Sequence, residues 1–257
     1  MLENKIALVS GGLGDIGRAV ALHLGKQGAR VAICDTMDEA SAKPFLDALQ
    51  SEGCTQLHYT QTDVSSETQV ANWVDVVEQH WGVPQIAVCN AGIVVSGSLN
   101  DLPAEEVHRQ MDVNFWGSYH LAVQSGRQMK EAGVPGRIVF IGSWAAERPN
   151  ARISSYCISK AAIRMLCKTL ALEWAADQIL VNEVAPGIVE GGLSKQNQQK
   201  DQALRQMHLS ATPTHTLISV NEVAQHVGML CSFSEMNITG TTLLVDGGLS
   251  LTSKMTP

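Results

Sequence analysis

The chain has 257 residues, 45% apolar and 17% charged, a composition that excludes a disordered or fibrous protein. Its length admits one large domain or two small ones, and a chain of this size buries enough surface to fold without disulfides or metals. A net charge of −7 with no basic run argues against a nucleic-acid binder or a protein drawn to anionic membranes.

The first residues, MLENKIALVSGG, lack the basic segment and long apolar core of a secretory signal. No run of ~18 uncharged apolar residues is present, so no membrane span is expected. Cys34, Cys54, Cys89, Cys157, Cys167 and Cys231 form no CxxC and no Cys/His ligand spacing. A reduced, cytoplasmic protein without a metal is the expectation.

In chain order, apolar strand patterns at 5–9, 30–34, 56–60, 86–89, 137–141, 179–184 and 241–245 alternate with helical patterns. The helices are expected at 16–27, 39–51, 67–81, 104–131, 154–175 and 221–231. Several strands are apolar on both faces, as strands under two helix layers must be. The fold class is α/β: a doubly wound, Rossmann-like parallel sheet of seven strands with right-handed crossovers. The Gln/Ser/Thr-rich stretch 190–219 follows a strand end, where such a sheet binds ligands, and is expected to be a lid.

The first strand runs into Ser10-Gly11-Gly12-Leu13-Gly14-Asp15-Ile16-Gly17, where a helix opens. Glycines allow a tight turn, and the helix start offers free N–H groups to a pyrophosphate. The second strand ends at Asp35, a carboxylate placed to accept both adenosine ribose hydroxyls and to repel a 2′-phosphate. Neither Leu13 nor Thr36 supplies a positive charge for that phosphate, so NAD is expected over NADP. A turn-forming role is the plain alternative for Asp35.

Tyr156 and Lys160 are four residues apart in a helical segment and so share a face, about 6 Å apart. A tyrosine acting as a base near pH 7 must be lowered by about three pH units, roughly 4 kcal/mol. An ammonium about 4 Å away at an effective dielectric of ~20 supplies that much. Ser143 closes the preceding strand and stands where a hydroxyl would meet the reacting oxygen. The Tyr/Lys pair alone is equally compatible with an exposed amphipathic helix.

Ser143, Tyr156 and Lys160 joined to the glycine turn resemble the ~250-residue branch of the short-chain dehydrogenase/reductases, and the resemblance spans essentially the whole chain. Asp63-Val64 resembles the family's adenine contact, and Asn90-Ala91-Gly92 its Asn-Ala-Gly. Asn114 resembles the helix Asn, Pro186-Gly187 the turn after strand six, and Val245-Asp246-Gly247-Gly248 the C-terminal signature. The resemblance implies that Tyr156 is the general acid/base and that Lys160 lowers its pKa and binds the nicotinamide ribose. It also implies that Ser143 positions the substrate oxygen and that Asn114 holds a water in a proton relay. The implied cofactor contacts are Gly11, Gly14, Asp15, Ile16, Gly17, Asp35, Asp63, Val64, Asn90, Ala91, Gly92, Tyr156, Lys160, Pro186, Gly187 and Val189. Ile93, Val95, Trp144 and Ile188 are expected to line the substrate pocket with Ser143 and Tyr156. His208 and His215, in the expected lid, are further candidates.

Two positions depart from the family pattern. Asp15 stands where the turn has its second glycine, and a carboxylate there is expected to point to solvent. Gly191 stands where a Thr often contacts the carboxamide, so another group must hold the nicotinamide. Glu147 and Arg152 read as solvated loop charges.

The expected activity is NAD-dependent hydride transfer on a small secondary alcohol or ketone, with no nucleic acid or membrane as partner. Helices 104–131 and 154–175 carry apolar residues on more than one face, and the family implies a homotetramer or homodimer. The alternatives are an NADPH-using 3-oxoacyl carrier-protein reductase and a non-catalytic dinucleotide sensor.

Overall fold

The computed structural model describes residues 1–192, 202–234 and 237–252. The strands are β1 (Ile6–Ser10), β2 (Arg30–Asp35), β3 (Leu57–Gln61), β4 (Ile86–Cys89), β5 (Gly136–Ile141), β6 (Ile179–Pro186), β7 (Val189–Glu190), β8 (Ile218–Ser219) and β9 (Thr242–Val245). The α-helices are α1 (Asp15–Lys26), α2 (Glu39–Ser51), α3 (Glu67–Trp81), α4 (Ala104–Met111), α5 (Gly117–Glu131), α6 (Ser154–Trp174), α7 (Gln202–Ala211) and α8 (Val220–Leu230). Seven strands form one parallel sheet in the order β3-β2-β1-β4-β5-β6-β9, while β7 and β8 pair separately.

The two-faced apolar strands have a direct cause. Alternate strand residues point to opposite faces. In β1, Ala7 and Val9 join one core with Val20 and Leu24 of α1 and Val223 and Val227 of α8. Ile6 and Leu8 join the other, with Trp73 of α3, Leu121 of α5 and Ile163 of α6. Each such side chain, fully buried, contributes about 1.5–3 kcal/mol. Ser66 caps α3, and a Ser219–Glu222 capping box opens α8.

The chain builds outward from β1 to β3 and then returns to place β4 against the other side of β1. The carboxyl ends of β1 and β4 therefore diverge, and a crevice opens between them.

Two expectations change. The single helix over 104–131 is two helices, separated by a π-helical turn at Asp112–Trp116 that contains Asn114. Such turns are frequent at functional sites. Of the stretch 190–219, residues 193–201 lie outside the described residues; its two ends are joined where β7 pairs with β8. Among the described residues, no helix is long and apolar enough to cross a membrane. All six cysteines are buried and unbonded.

Candidate active site

A cleft of about 1300 Å³ lies over the carboxyl ends of the sheet strands. Its dinucleotide end is the glycine turn. Gly11 has φ +62°, and a Cβ there would come 2.9 Å from Ala91 Cα. At Gly17 a Cβ would stand 2.1 Å from Gly11 O. Both positions exclude a side chain, so the turn folds onto the start of α1, where first-turn N–H groups have no partner within the helix itself.

The turn is locked by polar contacts that make Asn90 an organiser. The Asn90 Nδ2 donates to Ser10 O and Gly11 O at 2.9 and 3.0 Å. The Ser10 hydroxyl accepts the N–H groups of Asn90 and Ala91. At the far rim, Asp35 accepts the N–H of Leu13 at 3.1 Å and that of Thr36 at 2.8 Å. These contacts hold its carboxylate against the turn. Asp63 accepts both the N–H and the hydroxyl of Ser65.

At the other end, β5 delivers Ser143 and α6 delivers Tyr156 and Lys160. Lys160 Nζ lies 5.6 Å from the Tyr156 ring centroid and donates to Ile141 O at 2.7 Å. Ser143 is buried, and its hydroxyl accepts the N–H of Ala145. Burial lowers Lys160 to about 8, against the opposing influence of Glu183 and Cys89. Burial also raises Tyr156 to about 12, and a hydrogen bond with the Ser143 side chain acts against the rise. Desolvation thus disfavours charge on both groups.

Asn114, fully buried in the π-turn, donates to Ile93 O and Ser159 Oγ and accepts the Ile93 N–H. Its side chain therefore braces the strand exit beside Lys160.

Ile93, Trp144 and Ile188 line the cleft as expected from their positions. Trp144 also packs with Cys157, Ile188 and Ala211. Val95 does not line it; Val94 and Ser96 do. The Val95 N–H is held instead by Gln110 Oε1 at 2.7 Å. Asn150 and Arg152 border the cleft from the loop before α6, and Arg152 is exposed there, as a solvated loop charge is. His208 of α7 lines the cleft, and burial lowers its pKa. His215 is exposed and bonds locally to Leu209 O.

The family model described as "Enoyl-(Acyl carrier protein) reductase" matches residues 12–250. The chain belongs to the short-chain dehydrogenase/reductase family. It is 33% identical to the 3-oxoacyl-[acyl-carrier-protein] reductase FabG of Pseudomonas aeruginosa, over 96% of this chain and 98% of that one. It is 30% identical to glucose 1-dehydrogenase 2 of Bacillus subtilis, over 97% and 96%. A gluconate 5-dehydrogenase from Burkholderia cenocepacia, solved with NADP and tartrate, superimposes with a TM-score of 0.90 at 31% identity, covering 98% of this chain and 97% of that one.

Against the short-chain dehydrogenase/reductase pattern, both departures acquire a place. Asp15 does not point to solvent. Its Oδ1 lies 2.6 Å from Arg18 Nη2, and its Oδ2 accepts the N–H of Gly192 at 3.1 Å. Gly191 has φ +138° and Gly192 φ +58°, a backbone that L side chains rarely adopt. Position 191 therefore needs a backbone conformation that suits glycine and is not simply a missing hydroxyl.

Glu147 pairs with Arg164 at 2.9 Å and so is not a free loop charge. Arg164 and Glu183, a buried ion pair beneath Ser143, are absent from the sequence reading. The available signals were an Arg two turns beyond Tyr156 on the same helical face and a Glu inside the apolar run of β6.

Proposed function

We propose that the protein is an NAD-dependent dehydrogenase/reductase that interconverts a small secondary alcohol and its ketone. One observation carries the reading: Ser143, Tyr156 and Lys160 converge at one end of a cleft whose other end is a glycine turn backed by a carboxylate. The glycine cradle, the open start of α1 and Asp35 fit a dinucleotide. Gly11, Gly14, Asp15, Ile16 and Gly17 would hold the pyrophosphate, Asp35 the ribose, and Asp63 and Val64 the adenine. Asn90, Ala91, Gly92, Pro186, Gly187 and Val189 would border the nicotinamide half. The bound nicotinamide supplies the hydride acceptor and, on reduction, the donor.

The chain's own residues manage the proton. In the cofactor-free chain burial holds Tyr156 above its ordinary value and not below it as expected; beside the Lys160 ammonium and a bound, positively charged nicotinamide it would ionise and take the hydroxyl proton in alcohol oxidation. Ser143 hydrogen-bonds the substrate oxygen where charge develops. Asn114 and a water would then relay the proton from Lys160. Oxidation therefore accelerates with rising pH, and reduction with falling pH. In this reading the described parts of the stretch 190–219 that border the cleft, at Gly191 and Gly192 and along α7, would close over the substrate as a lid on one domain.

NAD is favoured because Asp35 faces the cleft rim, with no cation at Leu13 or Thr36. The exposed apolar residues Ile158, Met165 and Leu172 on α6 and Trp116 on the π-turn support assembly into a homotetramer or homodimer.

A second reading is a 3-oxoacyl carrier-protein reductase, favoured by the 33% identity to such an enzyme. The test is a panel of cyclohexanol, 1-phenylethanol, ethyl 3-hydroxybutyrate, glucose and gluconate, and a 3-oxoacyl thioester for reduction, each with NAD(H) and NADP(H). Turnover of a simple secondary alcohol with NAD supports the first reading. Thioester reduction preferring NADPH replaces it with the second. Tyr156→Phe must abolish turnover while NADH still binds; an active variant sinks the mechanism.

A further inference from the structure

Beneath the cleft floor lies a set of charges that the proposed proton chemistry does not use. Tyr156, Lys160 and Arg164 follow one another at four-residue spacing along one face of α6. Lys160 donates to Ile141 O at 2.7 Å, and Arg164 Nη2 donates to Ser143 O at 3.1 Å. Two successive turns of the helix thus hold carbonyls on either side of Gly142. Glu183 of β6, fully buried, fills the space beneath it. A Cβ on Gly142 would fall 1.8 Å from Glu183 Oε1.

That carboxylate has little freedom. Its Oε2 accepts from Arg164 Nε at 2.8 Å and from the Thr242 hydroxyl at 2.7 Å, and its Oε1 accepts from Arg164 Nη2 at 3.1 Å. Glu147, at the end of the helical turn that starts after Ser143, lies 2.9 Å from Arg164 Nη1. A buried ion pair gives little net stability over an apolar pair of similar volume, so stability alone does not account for it.

We propose that Arg164 and Glu183 are positioning residues for the reaction: Arg164 fixes the backbone that presents Ser143, and Glu183 is the counter-charge set beneath the same Ile141–Ser143 backbone that Lys160 and Arg164 hold. The proposal rests on the dehydrogenase reading for its chemistry. The titratable groups that act on Lys160 are Tyr156 on its own helix, Cys89 at the end of β4 and Glu183 on β6. Of these, Glu183 acts most strongly to keep Lys160 charged. Without it, burial strips Lys160 of its proton more readily, and the Tyr156 phenolate loses its cation.

The test uses the full chain saturated with NAD. Tyr156 ionisation is followed as absorbance at 295 nm, taken as the difference from Tyr156→Phe. NADH affinity is read by fluorescence, and kcat is measured with the best alcohol of the panel above. Glu183→Gln is expected to move the Tyr156 midpoint upward by about one pH unit and to lower kcat near pH 8 about tenfold. NADH affinity should change less than twofold. Arg164→Lys keeps the charge but loses the planar fork. It should lower kcat about tenfold without moving the midpoint. The double variant Arg164→Met/Glu183→Leu removes both members of the buried pair together, so it is expected to fold, and it should show both effects. A folded double variant with the wild-type midpoint and kcat overturns the proposal. So does a fall in Tm alone, which would mark the pair as purely structural. If no alcohol turns over yet Glu183→Gln moves the midpoint, the positioning stands and the dehydrogenase reading falls.

Discussion

Asp15 Oδ2 accepts the N–H of Gly192 at 3.1 Å across 177 residues of chain. The acid at the dinucleotide turn is thereby tied to the first residues of the stretch proposed as a lid, where Gly191 supplies the backbone freedom. The two family departures are one structural feature. Arg18 balances the charge, so the carboxylate near the expected pyrophosphate site is neutralised locally.

Removing this tie should loosen the base of the lid. Asp15→Ala is expected to raise the substrate KM roughly 3–10-fold, which corresponds to about 1 kcal/mol of a charge-assisted hydrogen bond. NADH affinity should stay within about twofold, because the lost negative charge and the exposed Arg18 cation offset the looser turn. Steady-state kinetics with a fluorescence titration separates the two.

Restoring the family's residue at position 191 should do harm. Gly191→Thr forces a β-branched side chain to φ +138° and brings its Cβ to 3.0 Å from Val220 Cγ1. The cost is about 1–3 kcal/mol, and Tm should fall roughly 2–4 °C for each kcal/mol. A thermal melt with unchanged Tm contradicts the backbone requirement at position 191.

Cofactor choice should follow Asp35. Asp35→Ser with Thr36→Arg removes the carboxylate that repels a 2′-phosphate and adds a cation for it. The ratio of kcat/KM for NADPH over NADH should rise at least tenfold. An unchanged ratio places the determinant elsewhere.

Lys160 should destabilise the cofactor-free fold. Its folded pKa of about 8 lies below the ordinary value of 10.5. Between those values the unfolded chain binds the extra proton, so its contribution to stability rises with pH and is lost as pH falls through about 8. At pH 7 the buried ammonium costs about 3 kcal/mol. Lys160→Met is therefore expected to raise Tm at pH 7 by roughly 5–10 °C, with the gain vanishing above about pH 10.5. Tyr156, raised to about 12, acts in the opposite direction. Its contribution is present below about pH 10 and is lost above that value as pH rises toward 12. Melts from pH 7 to 10 test the sign.

The apolar face of α6 should be an interface between copies. Leu172 is 84% exposed and Met165 62% exposed. Placing a charge there, as in Met165→Glu with Leu172→Lys, should yield a smaller species by sedimentation velocity. A wild-type chain that already sediments as a monomer refutes the assembly.

Local patterns carried most of the fold. Strands that feed two cores must be apolar at successive positions, and that is visible in a single run such as Ile6–Val9. The glycine turn, Asp35 and the Tyr156/Lys160 spacing are equally local, because a turn or one helical period places them. The π-turn at Asn114 was not legible. The residues 104–131 read as one helix, and only the packing of Asn114 against Ile93 and Ser159 reveals the extra residue in the turn. Val94 and Ser96 replaced Val95 on the cleft wall because the path of that irregular segment is set by Gln110, a residue from another element.

The sequence alone determined the layer order, the position of the cleft and the groups at each of its ends, since strand ends on one edge of a parallel sheet inherit their place from chain order. Only the tertiary structure decided which charges meet. Asp15 with Gly192, and Arg164 with Glu183, are separated by helices and crossovers, and no periodicity relates them. Their pairing follows from the geometry of the packed sheet: an isolated carboxylate or guanidinium in its interior is too costly to leave without a partner.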